Sequence, residues 1–190
     1  MEDWSHSSCR LEEKQYYFEE NFDMVKLYSH QMLIAASFGI TSGTITALGM
    51  IVGLYSATSS RLAVASGIVV MAIADGLADA MGMHAVEEAE SEHGYIKHDA
   101  KELRLTTIYT FLSVCGFILT FAIPVILLPL GIAIAIDIAW GLGLLVILNY
   151  YIAKIRKDNP LKTVTEHVLS AIFVIIVSYL IGYLMGIMIE

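Results

Sequence analysis

Four stretches of this 190-residue chain contain no Asp, Glu, Lys or Arg: Leu27–Ser60, Leu105–Ile136, Ile138–Ala153 and His167–Ile189. A helix needs about 20 predominantly apolar residues to cross a bilayer, and these runs supply four such segments. A fifth is RLAVASGIVVMAIADGLADAMGMHAVEEAESE, from Arg61 to Glu92, apolar apart from two internal aspartates until its acidic end. Only 16% of the residues are charged, against roughly 25% in a soluble domain. The expected fold is all-α, an integral membrane bundle of five transmembrane helices near residues 33–56, 61–84, 105–127, 130–152 and 165–188. Residues 31–190 form this membrane domain, with a short acidic extension at 84–104.

The Leu105–Ile136 run is too long for one crossing and too short for two. Pro124 and Pro129 interrupt it within AIPVILLPLG. Proline disfavours a continuous helix, so spans three and four are expected to form a hairpin turning near Pro124–Pro129. Five crossings put the termini on opposite sides. Ten of the eleven basic residues fall on one side (Arg10, Lys14, Lys26, Lys97, Lys101, Arg104, Lys154, Arg156, Lys157 and Lys162), and Arg61 alone on the other. Lys and Arg collect on the cytoplasmic side. The N-terminus and both longer loops are therefore expected in the cytoplasm and the C-terminus outside.

Residues 1–30 place Leu11, Phe18, Phe22 and Val25 at near-helical spacing, the pattern of an amphipathic segment lying in the headgroup layer. A contribution of Glu19, Glu20 or Asp23 to a metal site is the other reading. No cleavable signal peptide is visible at the acidic N-terminus. Cys9 and Cys115 fit neither a disulfide framework nor a CxxC site. The net charge of −8 argues against nucleic acid as a partner. No GxSxG, HExxH, Walker or dinucleotide motif occurs, so an enzyme is not expected, nor a permanently bound cofactor. The expected location is the cell membrane or an internal, vacuole-type membrane.

Asp75 and Asp79 stand four residues apart in span two, on one helix face. An ionisable group in hydrocarbon normally faces the bundle interior, finds a partner and marks a pathway. At 1.5 Å per residue, Asp75 lies about 21 Å along the helix from Arg61 and Asp79 about 27 Å. Asp75 is thus intramembrane and Asp79 sits near the cytoplasmic boundary. Met83, Glu87 and Glu90 continue that stripe; His84, Glu88 and Glu92 form the adjacent one, and Met81 lies close by. Carboxylate and imidazole suit divalent first-row metals, while thioether favours softer ions. A mixed Asp/Glu/His/Met set fits Fe²⁺ or Mn²⁺ better than Mg²⁺ or Cu⁺. The plain alternative is a solvated acidic helix end.

Ser42, Thr41, Thr44 and Thr46 could line a polar path, although such hydroxyls more often bond their own helix backbone. Asp137 would mark a second depth of the same route if spans two and four are neighbours. Glu166 and His167 open span five, where the helix dipole alone accounts for an acid; a gating or relay role is the other reading. Gly39/Gly43, Gly49/Gly53 and Gly182/Gly186 permit close helix approach, within one subunit or between two.

The pattern as a whole resembles the vacuolar iron transporter family over roughly residues 28–188. The likeness is carried by GITSGTITALGMIVGL after a Tyr-Ser-His lead-in, by the second span ending AMGMHAVEEAESE, by the IPVILLP hairpin, and by NPLKTVTEHVLSAIFVIIVSYLIGYLMG. The resemblance implies a homodimeric carrier that moves Fe²⁺ or Mn²⁺ out of the cytosol in exchange for protons. Family members have an Asp before a Gly in span one, a Met in span two, and Glu and Met ligands in a cytoplasmic helical domain. Here Ser42 precedes Gly43, so that carboxylate is missing. Met81 is the nearest match to the span-two Met, with Met83 the alternative. Counterparts of the Glu ligands are confined to Glu87, Glu88, Glu90 and Glu92, and residues 84–104 are shorter than the family's metal-binding domain. Asp75 and Asp79 are expected to supply the acid that span one lacks. The competing expectation is a membrane protein that transports nothing and binds metal or a partner through its acidic juxtamembrane helix.

Overall fold

A computed structural model describes residues 32–92 and 100–189, with side chains described for 32–89 and 103–189. All of their regular structure is helical. Helix α1 runs Met32–Thr58, α2 Arg61–Glu92, α3 Ala100–Thr120, α4 Ala122–Leu127, α5 Leu130–Arg156 and α6 Pro160–Ile189. Among the described residues, five segments are long and apolar enough to cross a membrane: Met32–Thr58, Arg61–Ala89, Leu103–Leu127, Leu130–Arg156 and Pro160–Ile189. The protein is therefore read as membrane-embedded. The amphipathic segment expected at 1–30 lies outside the described residues.

The helix ends follow local chemistry. Between α1 and α2 the connection is only Ser59 and Ser60. Ser59 takes a left-handed conformation (φ 46°), and its N–H closes on the Tyr55 carbonyl at 2.9 Å. The Ser60 hydroxyl then accepts from the Ala63 N–H at 3.3 Å, capping α2. α5 ends with Lys157 left-handed (φ 60°) and the Asp158 N–H returning to the Ala153 carbonyl, a Schellman-type closure. Asn159 caps α6 through its side chain to the Leu161 N–H at 3.1 Å, with Pro160 at the first helical position, where it lacks only an orphan donor. The start of α6 thus falls five residues before the expected span.

Span three is kinked before it turns. Pro124 has no N–H for the Thr120 carbonyl and crowds it. The helix accordingly breaks at Phe121, whose N–H bonds Ile118 instead. The hairpin turns where the expected spans 105–127 and 130–152 left it. Pro124 makes the kink and lies inside α4, and the reversal occurs at Leu128–Pro129. Arg61 ties this corner down by donating to the Leu128 carbonyl at 2.8 Å.

α1 is the hub. Half of its apolar window is buried inside the protein, against 6% for α6. Its faces are divided among its neighbours by small residues. A Cβ on Gly39 or Gly43 would meet Ser113, Val114 and Ile118 of α3. The Gly49/Gly53 face receives Val174 and Ser178 of α6, and Leu48 fills the space above Gly141 of α5. A Cβ on Gly182 would overlap the Gly53 carbonyl and the Ser56 hydroxyl. The glycine pairs therefore pack helices within one subunit, the question the sequence left open. α2 lies along α3, and the common core includes Leu48, Ile51, Val64, Ile68, Val114, Ile118 and Phe121.

Gly182→Val is expected to push α6 off α1 and destabilise the protein by about 1–3 kcal/mol. Gly143→Ala, with no heavy atom within 4 Å of the added Cβ, is expected to gain up to about 1 kcal/mol of helix propensity. Thermal unfolding in detergent measures both.

Candidate ion site between α1 and α2

A two-residue connection makes α1 and α2 an antiparallel hairpin whose register is symmetric about Ser60–Arg61. Leu54 accordingly faces Gly67. One stretch further from the turn, Thr46 faces Asp75, and its hydroxyl donates to Asp75 Oδ2 at 2.7 Å. A full turn beyond, the Ser42 side chain stands opposite Asp79. The two acids at i and i+4 on α2 thus meet two hydroxyls at i and i+4 on α1. The Thr46 hydroxyl also has the Ser42 carbonyl of its own helix, at 3.0 Å, as a competing acceptor for the same single hydrogen. The contact to Asp75 is the shorter one.

Both carboxyl groups are half-buried, and Asp79 Oδ2 is fully enclosed without a hydrogen-bond partner among the described residues. Placing Asp at the centre of a membrane helix costs about 2.5–3.5 kcal/mol by insertion measurements. One charge-assisted hydrogen bond, about 1.5–3 kcal/mol, offsets much of that. What is left is an enclosed oxygen of Asp79 one helical turn from Asp75, where a cation would be stabilised.

Beyond Asp79 the stripe divides. Met83 is half-buried and stays on the Asp75–Asp79 face, whereas Met81 is 60% exposed and points away from the bundle. Glu87 is buried and Glu88 exposed. The side chains of Glu90 and Glu92 lie outside the described residues, although α2 continues unbroken through both. His84 is half-buried, with Nδ1 3.1 Å from the Thr107 hydroxyl. The single proton of Thr107 goes to the Leu103 carbonyl at 2.7 Å, so Nδ1 of His84 must be the donor. With Nδ1 engaged in this bond, Nε2 is the ring nitrogen left to meet a ligand, the arrangement typical of metal-binding histidines. Among the described residues no three His, Cys, Asp or Glu side chains converge as a closed cage.

Asp137 does not join this stripe. It is fully buried on α5, with neither oxygen hydrogen-bonded among the described residues. Thr46 and Leu48 are about 200° apart around α1 at 100° per residue. The first faces Asp75 on α2 and the second Gly141 on α5. α2 and α5 pack on different sides of α1, and the condition for one continuous Asp75–Asp137 route is not met. Glu166 lies exposed on α6, 3.9 Å from Lys162.

Sequence reasoning weighed Thr46 only as a path-lining or backbone-bonded hydroxyl, and it missed Thr107. The signal for Thr46 was present: hydroxyls at 42 and 46 mirror acids at 79 and 75 across a two-residue turn.

No protein-family model matches the chain, and no solved structure matches it. It is similar to an uncharacterized protein of Methanocaldococcus jannaschii, 26% identical over 162 aligned residues that cover 75% of this chain and 84% of that one.

If Thr46 holds Asp75 as described, a double-mutant cycle of Thr46→Val and Asp75→Asn is expected to give a coupling of about 1 kcal/mol, within the range for interhelical hydrogen bonds in membranes. Thr46→Ser should retain it. Unfolding in mixed detergent micelles supplies the four free energies.

Proposed function

We propose that the protein is a divalent metal transporter, moving Fe²⁺ or Mn²⁺ out of the cytosol in exchange for protons, as a divergent relative of the vacuolar iron transporters and, like them, a homodimer. The observation that carries this reading is the pairing of Ser42 with Asp79. In the family this protein resembles, the span-one residue before the glycine is an Asp. Here that position is Ser42, and the carboxylate stands directly across the helix interface on α2. An acid is thus present at this level of the bundle although span one has none.

In this scheme the basic end of the bundle faces the cytosol. The ion is collected by the acidic end of α2 and by Nε2 of His84. It sheds part of its water shell at Met83 and Asp79, then passes to Asp75. Two carboxylates, a thioether and remaining waters form a weak, open set of ligands. That suits a carrier, which must release what it binds. Fe²⁺ and Mn²⁺ accept such mixed oxygen, nitrogen and sulfur sets. The same carboxylates take up protons as the metal departs.

The test returns the charge to its family position. Asp79→Ser is expected to lower Mn²⁺ flux into proteoliposomes by about ten-fold or more, the order of a lost ligand. The double substitution Ser42→Asp with Asp79→Ser should restore most of it. Unaltered flux in Asp79→Ser, or a double variant no better than the single, removes the basis for this reading. Asp75→Asn is expected to abolish flux, while a non-transporting metal-binding protein would bind Mn²⁺ and move none in any variant.

A further inference from the structure

Where α5 gives way to α6, Lys154, Arg156, Lys157 and Lys162 stand against only Asp158 and Glu166. This is a local excess of positive charge in a chain whose net charge is −8. Arg156 pairs with Asp158 at 3.3 Å and Lys162 with Glu166 at 3.9 Å, all four side chains being exposed. Exposed pairs of this kind hold weakly, so both cations remain open to a better anion. Lys154 lies over the Tyr150 ring at 5.1 Å, and Lys157 is the left-handed residue that ends α5.

Three spaces open beside this cluster, and Ile152 and Arg156 line all of them. The first is an apolar groove of about 430 Å³ between the start of α1 and the end of α5, formed by Leu33, Ile34, Phe38, Ile152 and Ile155. From Leu33 to Phe38 it follows α1 inward for about 8 Å at 1.5 Å per residue. Ser37 also lines it, but its hydroxyl donates to the Leu33 carbonyl of the same helix at 2.6 Å. The second is a cavity of about 370 Å³ whose polar lining includes Thr41, Asn149, Thr163 and His167. The third is a mouth of about 410 Å³ between α5 and α6, where Asn159, Lys162 and His167 join Arg156. His167 is half-buried, with Nδ1 2.8 Å from the Thr163 carbonyl. A carbonyl only accepts, so Nδ1 donates, and Nε2 is the ring nitrogen left for a ligand.

Arg156 therefore stands at the joint between an apolar groove and a cationic, hydrogen-bonding mouth. That sequence of environments complements a molecule with a hydrocarbon tail and an anionic head. A soluble phosphate ester would use the mouth and leave the groove empty. Basic pockets between membrane helices, at the level of the head groups, bind anionic lipids, and the guanidinium fork matches two phosphate oxygens at once. We propose that the junction of α1, α5 and α6 is a binding site for one anionic phospholipid, with its phosphate held by Arg156 and Lys162 and one hydrocarbon chain laid between Ile34 and Ile155. The site joins the starts of α1 and α6 to the end of α5, and it stands whether or not the protein moves an ion.

The test uses the full-length protein in detergent micelles and phosphatidylglycerol carrying a photoactivatable chain, with crosslinks located by mass spectrometry. Crosslinks are expected on Ile34, Phe38 or Ile155. Arg156→Gln combined with Lys162→Gln is expected to weaken binding about ten-fold or more, the order set by two lost basic contacts. Lys154→Gln combined with Lys157→Asn removes the same charge from the same end of the bundle but outside the three spaces, and Asn suits the left-handed position. This second pair should leave binding within about two-fold. Equal losses from the two pairs would mean diffuse attraction to a basic surface, and they overturn the site. Ile34→Trp and Ile155→Trp fill the groove from its two sides, and each is expected to lower crosslinking about ten-fold. Unchanged crosslinking in both, or crosslinks spread over the outward face of α6, overturns the placement of the chain. Phosphatidylcholine with the same chains should bind about ten-fold more weakly, and equal binding removes the role of charge. Glycerol 3-phosphate at millimolar concentration should not displace the lipid; displacement assigns the mouth to a soluble phosphate ester and overturns the proposal.

Discussion

A carboxylate inside a bilayer is costly unless some other part of the chain brings a donor to it, and the α1–α2 hairpin is arranged to bring one to Asp75. Two acids one turn apart on α2 require two hydroxyls one turn apart on the facing helix, at matching heights. The Ser59–Ser60 connection satisfies the requirement by leaving no slack: once it closes, Thr46 can only stand beside Asp75. The gain from the hydrogen bond is comparable to the cost of the buried acid. The pairing therefore adds little net stability, and what it fixes is position.

That demand explains why α1 is the buried hub, although α5 and α6 are the more apolar helices. Polar side chains in hydrocarbon have to face protein, and the helix carrying Thr41, Ser42, Thr44 and Thr46 has the most to face. Its glycines let three neighbours come close enough to surround it, with α3 against Gly39 and Gly43, and α6 against Gly49 and Gly53. α6, whose outward surface is almost wholly apolar, can be left to lipid and keeps hold of α1 through the Gly182 contact.

The crossing helices were legible because lipid imposes a simple rule, and uncharged runs of sufficient length obey it. Their ends were less so. α6 begins at Pro160 and not 165, because Asn159 and Pro160 form a capping signal that hydropathy does not weigh. Pro124 was readable as a disruption but not as a kink within one crossing. The corner at Leu128–Pro129 falls between the expected spans, whereas the Arg61 bond that closes it joins residues far apart in sequence. At the candidate site, the stripe from Asp75 to Met83 could be read from helical spacing. Its partners could not, since Thr46 and Thr107 declare themselves only through contacts across helices. The separation of Asp137 from the stripe was equally hidden. It follows from which side of α1 each neighbour occupies, and a linear pattern does not encode that.

The short turn between α1 and α2 has one further consequence. Each residue inserted into or removed from a helix rotates everything beyond it by about 100° and shifts it by about 1.5 Å. A single insertion between Thr46 and Asp75 would carry both acids away from both hydroxyls at once, whereas many side-chain exchanges in the same stretch would leave the alignment intact. The segment acts as a ruler, tolerant of what its graduations are made of and intolerant of their number. Selection on such a hairpin would act on length before identity, so chains that share its geometry can drift far apart in sequence while the spacing from Ser42 to Asp79 holds still.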